Sequence, residues 1–245
     1  MTRHELLIIM TVGMSTIAGS VMVVYTTMLF PIYGAGLIGH FLSASLISVP
    51  AAIMYSNIML PSDVKTDFPD KSSNELYASV MDAITQGTKN GLDIFLNVIA
   101  MLIVVMALVF LVNSILSLFP PLSGDPITLE LLLGYLFAPL AWFMGISWEE
   151  SIIAGQLLGV KTALNEFVAY LYLADTDTYQ LTDKSRLIML YALCGFANFS
   201  SVGILLSGLS AMIPERRMDL ISVSGKALWG ALLASCLTGF MIGIL

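Results

Sequence analysis

Two charged side chains and a carboxamide interrupt the apolar stretch between Gly159 and Tyr170. They are Lys161, Asn165 and Glu166, and the last two are adjacent. Ionisable groups at membrane depth are costly, and they persist mainly where they face a cavity or a partner. A carboxylate beside a carboxamide can accept hydrogen bonds from the hydroxyl groups of a polar solute. The segment therefore predicts a site for such a solute.

Lys161 has three interpretations. Its ammonium could bind a phosphate, pair with Glu166 five residues further along the chain, or pair with a residue outside this chain. All three satisfy the requirement that a buried cation finds a partner. The sequence does not choose among them.

Two further apolar stretches carry small and polar residues at their centres. Residues 11–20 can be aligned with residues 193–202 so that Gly13 lies opposite Gly195. Inverted repeats with broken helices mark a midplane site in secondary transporters. Small residues also mark close packing between helices, and this alternative stays open. Asn198 favours the first interpretation, because packing alone does not require a carboxamide within a span.

The composition defines the class of protein. Hydrophobic residues make up 58% of the 245 residues and charged residues 11%, against about 25% charged residues in soluble domains. This predicts a multi-pass membrane protein. The net charge of -7 is spread over the polar segments and does not indicate nucleic acid binding. The sequence has no Ser-His arrangement or HExxH motif, so we do not predict an enzyme, and Cys194 and Cys236 are interpreted as packing residues.

The apolar segments predict the elements that position these side chains. Residues 6–30 are interrupted by glycine, serine and threonine, which favours a broken helix over a signal peptide that starts near Arg3. The other segments are a span at 34–60, an amphipathic interfacial helix within 61–93, a span at 94–118, a short interfacial or partly inserted helix at 128–145, a hairpin at 148–174, and spans at 187–213 and 220–245.

The positions of lysine and arginine favour a hairpin at 148–174. If residues 1–5 are cytoplasmic and this segment returns to the side it entered, seven basic residues lie inside and two outside. The inner set is Arg3, Lys65, Lys71, Lys89, Arg216, Arg217 and Lys226, and the outer set is Lys184 and Arg186. A full crossing would instead move Arg216 and Arg217 outside. The hairpin also predicts an extracytoplasmic C-terminus.

Four stretches resemble the concentrative nucleoside transporters. Gly159–Tyr170 matches the pattern G-x-K-x-x-x-N-E-F-V-A-Y, and Thr16–Val21, Gly134–Trp142 and Cys194–Ser201 are similar to other parts of that family. The resemblance implies an all-α membrane protein, an inverted-repeat transporter with broken helices and a re-entrant hairpin. It further implies a homotrimer in the plasma membrane, the inner membrane of a bacterium.

The resemblance divides the chain into five regions. These are the first broken helix and following span at 1–60, a cytoplasmic interfacial helix at 61–93, a scaffold span at 94–119, an outer-face interfacial helix at 120–147, and the hairpin, second broken helix and last span at 148–245.

The resemblance also implies roles for individual residues. The ribose would be bound by Glu166, Asn198 and Ser201, with Asn165 beside Glu166 at the hairpin tip. The remaining implied contacts are Phe196 in the pocket wall, Val21 at the base, and Thr16 and Ile17 at the coupling ion. That ion would be Na+ or H+, and no other cofactor is implied.

The resemblance covers one part of the family pattern. Family members have further N-terminal spans and a first re-entrant hairpin with a G-Q-T-E-A-P-type motif, which these 245 residues do not contain. The sequence therefore predicts a cation-coupled nucleoside symporter or its C-terminal part, working by alternating access, with a separate N-terminal half as one expected partner. The alternative is a truncated, non-transporting subunit or structural remnant.

Overall fold

The structure, a computed structural model, describes residues 1–62, 78–121 and 126–245. These residues form α-helices joined by short turns, and no strand occurs within the described ranges. The helices are α1 (Arg3–Ser15), α2 (Gly19–Tyr33), α3 (Leu37–Met59), α4 (Val80–Leu116), α5 (Leu129–Phe143), α6 (Trp148–Ala163), α7 (Glu166–Ala174), α8 (Asp183–Leu193), α9 (Phe199–Met212) and α10 (Arg217–Ile244).

The first broken helix consists of α1 and α2. The helix stops at Thr16, which has extended backbone angles (φ -104°, ψ 166°), and Ala18 is extended as well (φ -75°, ψ 137°). α2 then ends at Gly34, whose φ of 68° favours glycine. The chain turns there, and α3 packs back against α1 and α2.

The second broken helix consists of α8 and α9, and it meets the first at the two breaks. Gly195 has a φ of 117°, and a Cβ atom there would lie 2.7 Å from the carbonyl oxygen of Ser15. A side chain at this crossing is excluded by both the backbone angle and the space. Ser15 and Leu193 are the last residues of their helices, so the predicted alignment of Gly13 with Gly195 is wrong: Gly13 lies inside α1.

α6 and α7 form the hairpin that the basic residues predicted. α6 has 16 residues and is about 24 Å long. The helix stops at Leu164 and Asn165, and α7 follows. The chain then returns to the beginning of α6, where Glu150 accepts hydrogen bonds from the Thr182 backbone N–H at 2.9 Å and hydroxyl at 3.2 Å. The all-α fold with broken helices and a hairpin is thereby confirmed.

The chain bends by 118° between α5 and α6, and the two helices pack closely against each other. Glycine makes this approach possible, since a Cβ atom on Gly155 would overlap the carbonyl oxygen of Gly134, and one on Gly159 would overlap the Cβ atom of Leu133. The face of α5 that contacts α6 is buried, and the opposite face exposes Leu132 and Leu136. The position of α5 on the outer side of the membrane stays a prediction.

α4 extends across a boundary that the sequence analysis placed at 93/94. The expected interfacial helix and the expected span form a single helix of 37 residues, capped at its start by Ser79. No proline occurs between residues 80 and 116 to interrupt the backbone hydrogen bonds. Residues 63–77, where the rest of the interfacial segment was expected, lie outside the described residues. Near the C-terminal end of α4, Asn113 accepts a hydrogen bond from the Leu129 N–H at 2.7 Å and so joins α4 to α5.

α10 is the central column of the fold and packs against α1, α3, α8 and α9. Small residues face its neighbours: a Cβ atom on Gly230 would touch Thr11 of α1 at 3.0 Å, and one on Gly239 would touch Ala192 of α8 at 3.0 Å. Cys236 is buried here, and Cys194 is buried at the second break, as expected for packing residues.

Two stretches of the described chain have the length and apolar composition needed to cross a membrane. They are Arg3–Met59, which contains the first broken helix and α3, and Pro214–Ile244. α5 and α6 together form a third candidate, bent at their junction. The chain is therefore a membrane protein.

Candidate functional site

Glu166 lies where the hairpin tip meets both broken helices. It is the first residue of α7, and only 5% of its surface is exposed. Its Oε1 accepts a hydrogen bond from the Tyr25 hydroxyl of α2 at 2.8 Å, and its Oε2 accepts one from Asn198 Nδ2 at 2.9 Å. The carboxylate thus connects α7 to both broken helices, in the interior of α2 and at the start of α9.

Asn198 is the N-cap residue of α9 and is 1% exposed. Its Oδ1 accepts hydrogen bonds from the Ser201 backbone N–H and the Ser200 hydroxyl, both at 2.7 Å. Its Nδ2 is therefore free of the cap and donates to Glu166. One carboxamide both begins a helix and orients a carboxylate.

Asn165 performs the same capping function at the start of α7. Its Oδ1 accepts a hydrogen bond from the Val168 N–H at 2.9 Å, as is common for an asparagine at this position. Asn165 Oδ1, which the sequence analysis predicted as an acceptor for a solute hydroxyl, therefore accepts a hydrogen bond within α7 instead. The two caps place the N-termini of α7 and α9 beside the Glu166 carboxylate, and the positive ends of both helix dipoles stabilise its negative charge.

The first break contains the residues expected at the coupling ion. The Thr16 hydroxyl donates to the Val12 carbonyl oxygen at 3.2 Å, and the Ile17 N–H donates to the Ser45 hydroxyl of α3 at 3.3 Å. The sequence analysis did not identify Ser45. It supplies a hydrogen bond that the interrupted helix no longer makes.

The other expected contacts lie near the same breaks. Val21 is in the first turn of α2, one turn before Tyr25 on the same face, and it is partly buried. Phe196 is partly buried in the second break, two residues before Asn198. Ser201, in the first turn of α9, is partly buried too.

Lys161 is fully buried, and its ammonium donates hydrogen bonds to two groups of this chain, neither of which is Glu166. Its Nζ donates to the Ala192 carbonyl oxygen at 2.8 Å and to the Ser235 hydroxyl at 2.7 Å. Within the described part of the chain, the ion pairs join Asp219 to Arg3 and Arg216, and none includes Lys161. The predicted pair with Glu166 is therefore wrong, and complete burial keeps the ammonium away from a dissolved phosphate. Lys161 fixes α6 to the end of α8 and to α10.

Three residues of this network were missed by sequence reasoning: Tyr25, Ser45 and Ser200. Of the three, only Tyr25 could have been identified from the sequence. It lies one helical turn after Val21 in an apolar segment, where a tyrosine hydroxyl needs a hydrogen-bond partner. Ser45 and Ser200 resemble many other small polar residues in the spans.

Two crossed helix breaks and a re-entrant hairpin, with a buried carboxylate where they meet, define the class of secondary membrane transporters. A family model described as "Na+ dependent nucleoside transporter C-terminus" matches residues 40–243. The chain belongs to this family of concentrative nucleoside transporters. Its members are transporters, which confirms that the chain is not an enzyme.

Relatives of the chain occur in bacteria and animals. It is 38% identical over 250 residues to the uncharacterized transporter YutK of Bacillus subtilis, covering 100% of this chain and 60% of that protein. It is 32% identical over 249 residues to the nucleoside permease NupC of Helicobacter pylori, covering 100% and 58%. It is 34% identical over 263 residues to solute carrier family 28 member 3 of Homo sapiens, covering 100% and 37%.

Solved structures share the fold. The transporter CNTnw in an inward-facing substrate-bound state matches with a TM-score of 0.82 and 34% identity, over 100% of this chain and 57% of that one. A variant of CNTnw in an outward-facing state matches with a TM-score of 0.80 and 32% identity, over 100% and 57%. The chain thus spans about 60% of the length of its bacterial relatives.

Proposed function

We propose that this chain forms the sugar-binding part of a cation-coupled nucleoside symporter. The observation that carries the proposal is the Glu166 carboxylate, which is buried at the hairpin tip and bonded to Asn198 at 2.9 Å. A buried charge is costly, and it is retained where it has a function or a partner. Membership of the nucleoside transporter family supports the choice of solute.

The arrangement suits the ribose of a nucleoside. Ribose hydroxyls donate to the carboxylate of Glu166 and accept from Asn198 and from the Ser201 hydroxyl, and Asn165 lies next to them. Val21 and Phe196 provide apolar surface for the base. Because a site built for hydroxyl groups leaves buried acceptors unpaired when a hydroxyl is missing, it discriminates strongly against deoxy analogues.

The coupling ion would bind at Thr16 and Ile17. The interrupted helix offers hydroxyl and backbone carbonyl oxygens there, which are the ligands that a hard cation such as Na+ prefers. The family description names Na+. The hydrogen bond from the Ile17 N–H to the Ser45 hydroxyl connects this segment to α3.

Transport would proceed by alternating access, with the two broken helices and the hairpin moving as one unit. Glu166 joins both broken helices to the hairpin, and Lys161 joins the hairpin to α8 and α10. These bonds support joint movement of the bonded elements. α4 would belong to the stationary scaffold of a homotrimer in the bacterial inner membrane.

A second candidate is a subunit that binds nucleoside but does not transport alone. The observation in its favour is that the chain spans about 60% of its bacterial relatives. A separately encoded N-terminal half would then complete the transporter. The two candidates are separated by comparing nucleoside uptake by cells that express these 245 residues alone with nucleoside binding to the same purified chain.

The decisive experiment is Glu166→Gln in the purified gene product. The change keeps the shape of the side chain but removes its charge, so the binding of uridine should weaken by about tenfold or more, as expected for a lost hydrogen bond to a charged group. Glu149→Gln is the matched control, because Glu149 is exposed in the first turn of α6. Equal uridine affinity in the Glu166 variant and the wild type would disprove the ribose assignment.

A further inference from the structure

Tyr25 contacts the proposed sugar-binding carboxylate, although it belongs to none of the motifs found in the sequence. Its side chain is fully buried in α2, and its hydroxyl donates to Glu166 Oε1 at 2.8 Å. The bond connects the first broken helix to the hairpin across 141 positions of sequence. A buried phenol hydroxyl needs a partner, and here the partner is the functional carboxylate itself.

An aromatic cluster holds the ring of Tyr25 in this position. Its ring centroid lies 4.7 Å from that of Tyr170 and 6.2 Å from those of Phe41 and Phe167. These residues come from α3 and α7, so the ring is enclosed by two other helices. In the solute-free structure, packing of the ring therefore places the hydroxyl beside the carboxylate.

The two donors to Glu166 differ in what else they do. Asn198 also caps α9 and is itself a proposed ribose ligand. Tyr25 caps no helix, and among the described residues its hydroxyl bonds to Glu166. Because the carboxylate is only 5% exposed, a solute hydroxyl reaches it when one of the donors moves aside. Tyr25 is the donor whose replacement leaves the cap of α9 intact.

We propose that Tyr25 is the internal ligand of Glu166 in the solute-free transporter. Its hydroxyl donates a hydrogen bond to the carboxylate when the site is empty. A sugar hydroxyl replaces this donor when the solute binds, and the bond forms again after release. A buried carboxylate without its donors is strongly disfavoured. Tyr25 is thus a positioning residue that allows the empty site to return across the membrane. This inference rests on the ribose site proposed above.

The test compares two modes of uridine transport by the gene product in proteoliposomes. Net uptake into empty vesicles requires the return of the empty site, whereas exchange with internal uridine does not. Tyr25→Phe should lower the maximal rate of net uptake by about tenfold and leave the exchange rate within about twofold, because a single bond to a charged group is lost in the empty state alone. Its equilibrium affinity for uridine should be unchanged or tighter, since a competitor has been removed.

Tyr170→Phe is the matched control. It removes a hydroxyl from the same aromatic cluster, but that hydroxyl donates to the Leu190 carbonyl oxygen at 2.9 Å and not to Glu166. It should slow net uptake and exchange equally or not at all. The proposal is overturned if the Tyr25 variant slows both modes equally, leaves net uptake unchanged, or loses uridine binding. It is also overturned if the Tyr170 variant shows the same selective loss.

The Glu166→Gln variant distinguishes failure of this proposal from failure of the proposed ribose site. If that variant binds uridine as tightly as the wild type, the ribose site is wrong. If it loses binding while Tyr25→Phe slows both modes equally, the ribose site stands and the internal ligand alone is wrong.

Discussion

Glu166 illustrates how a charged residue is tolerated in an apolar protein. Its two carboxylate oxygens accept hydrogen bonds from Tyr25 and Asn198, and it begins a helix. The bonds from these donors and the position at a helix N-terminus satisfy the carboxyl oxygens, which would otherwise lack partners in an apolar surrounding. In the proposed ribose site, the hydroxyl groups of the solute would take the place of these donors.

At the residue scale, Asn198→Ser should separate binding from folding. Serine is also a good N-cap, so α9 should keep its start and the melting temperature should stay close to that of the wild type. Its shorter side chain cannot replace the 2.9 Å bond from Nδ2 to Glu166. Uridine affinity should fall by about tenfold. Asn198→Ala serves as the comparison, because it removes the cap as well and should also destabilise the protein by about 1 kcal/mol. Unaltered uridine affinity in the serine variant would contradict the assigned role of Nδ2.

Glycine determines how closely the elements approach. Gly195 lets the second break cross the first at Ser15, and Gly155 lets α6 lie against the backbone of α5 at Gly134. These are contacts between backbones, which cannot move aside like the end of a flexible side chain. The hairpin therefore has a rigid support in α5.

At the element scale, Gly155→Ala should destabilise the hairpin. The added methyl group would overlap the Gly134 carbonyl oxygen, and such overpacking typically costs about 1–3 kcal/mol. Thermal unfolding of the purified protein, followed by size-exclusion chromatography, measures the effect. Gly225→Ala is the control, because a Cβ atom there meets nothing within 4 Å on α10. If the two variants melted at the same temperature, the close packing of α5 on α6 would be refuted.

The whole molecule is organised around α10, which contacts α1, α3, α8 and α9. Lys161 adds a polar connection to this column, since its ammonium bonds to Ser235 of α10 and to the end of α8. The site residues therefore belong to elements that are tied together at several points. A ligand that binds between them should stabilise the entire fold.

At the scale of the whole molecule, we expect uridine and Na+ to stabilise the gene product together. A ligand that binds the folded state at about 100 times its dissociation constant adds about 2.7 kcal/mol of stability. Uridine should therefore raise the melting temperature in NaCl, and much less in choline chloride of equal ionic strength, because the proposed ion site at Thr16 and Ile17 would adjoin α2, the helix that carries Tyr25. An equal rise in both salts would argue against Na+ coupling and leave a proton as the coupling ion.

Much of the fold could be predicted because membrane insertion restricts the choices. Small and polar residues in apolar spans indicated the breaks at Thr16 and around Asn198, and the basic residues indicated a hairpin at 148–174. The pairing of Lys161 could not be predicted, since its partners are a backbone carbonyl and a serine 31 and 74 positions away. The alignment of the two breaks could not be predicted either. Gly13 and Gly195 look equivalent in sequence, but of the two only Gly195 has a positive φ.

The sequence by itself determined that this is an all-α membrane protein of a nucleoside transporter family, with Glu166 and Asn198 as its costly polar residues. Those properties depend on local composition and on a nearly continuous motif. Tertiary structure alone decided which donors hold the carboxylate, that Asn165 caps a helix, and that Lys161 bonds to α8 and α10. Hydrogen bonds between distant segments depend on how helices cross, and this is set by packing between backbones rather than by any one segment.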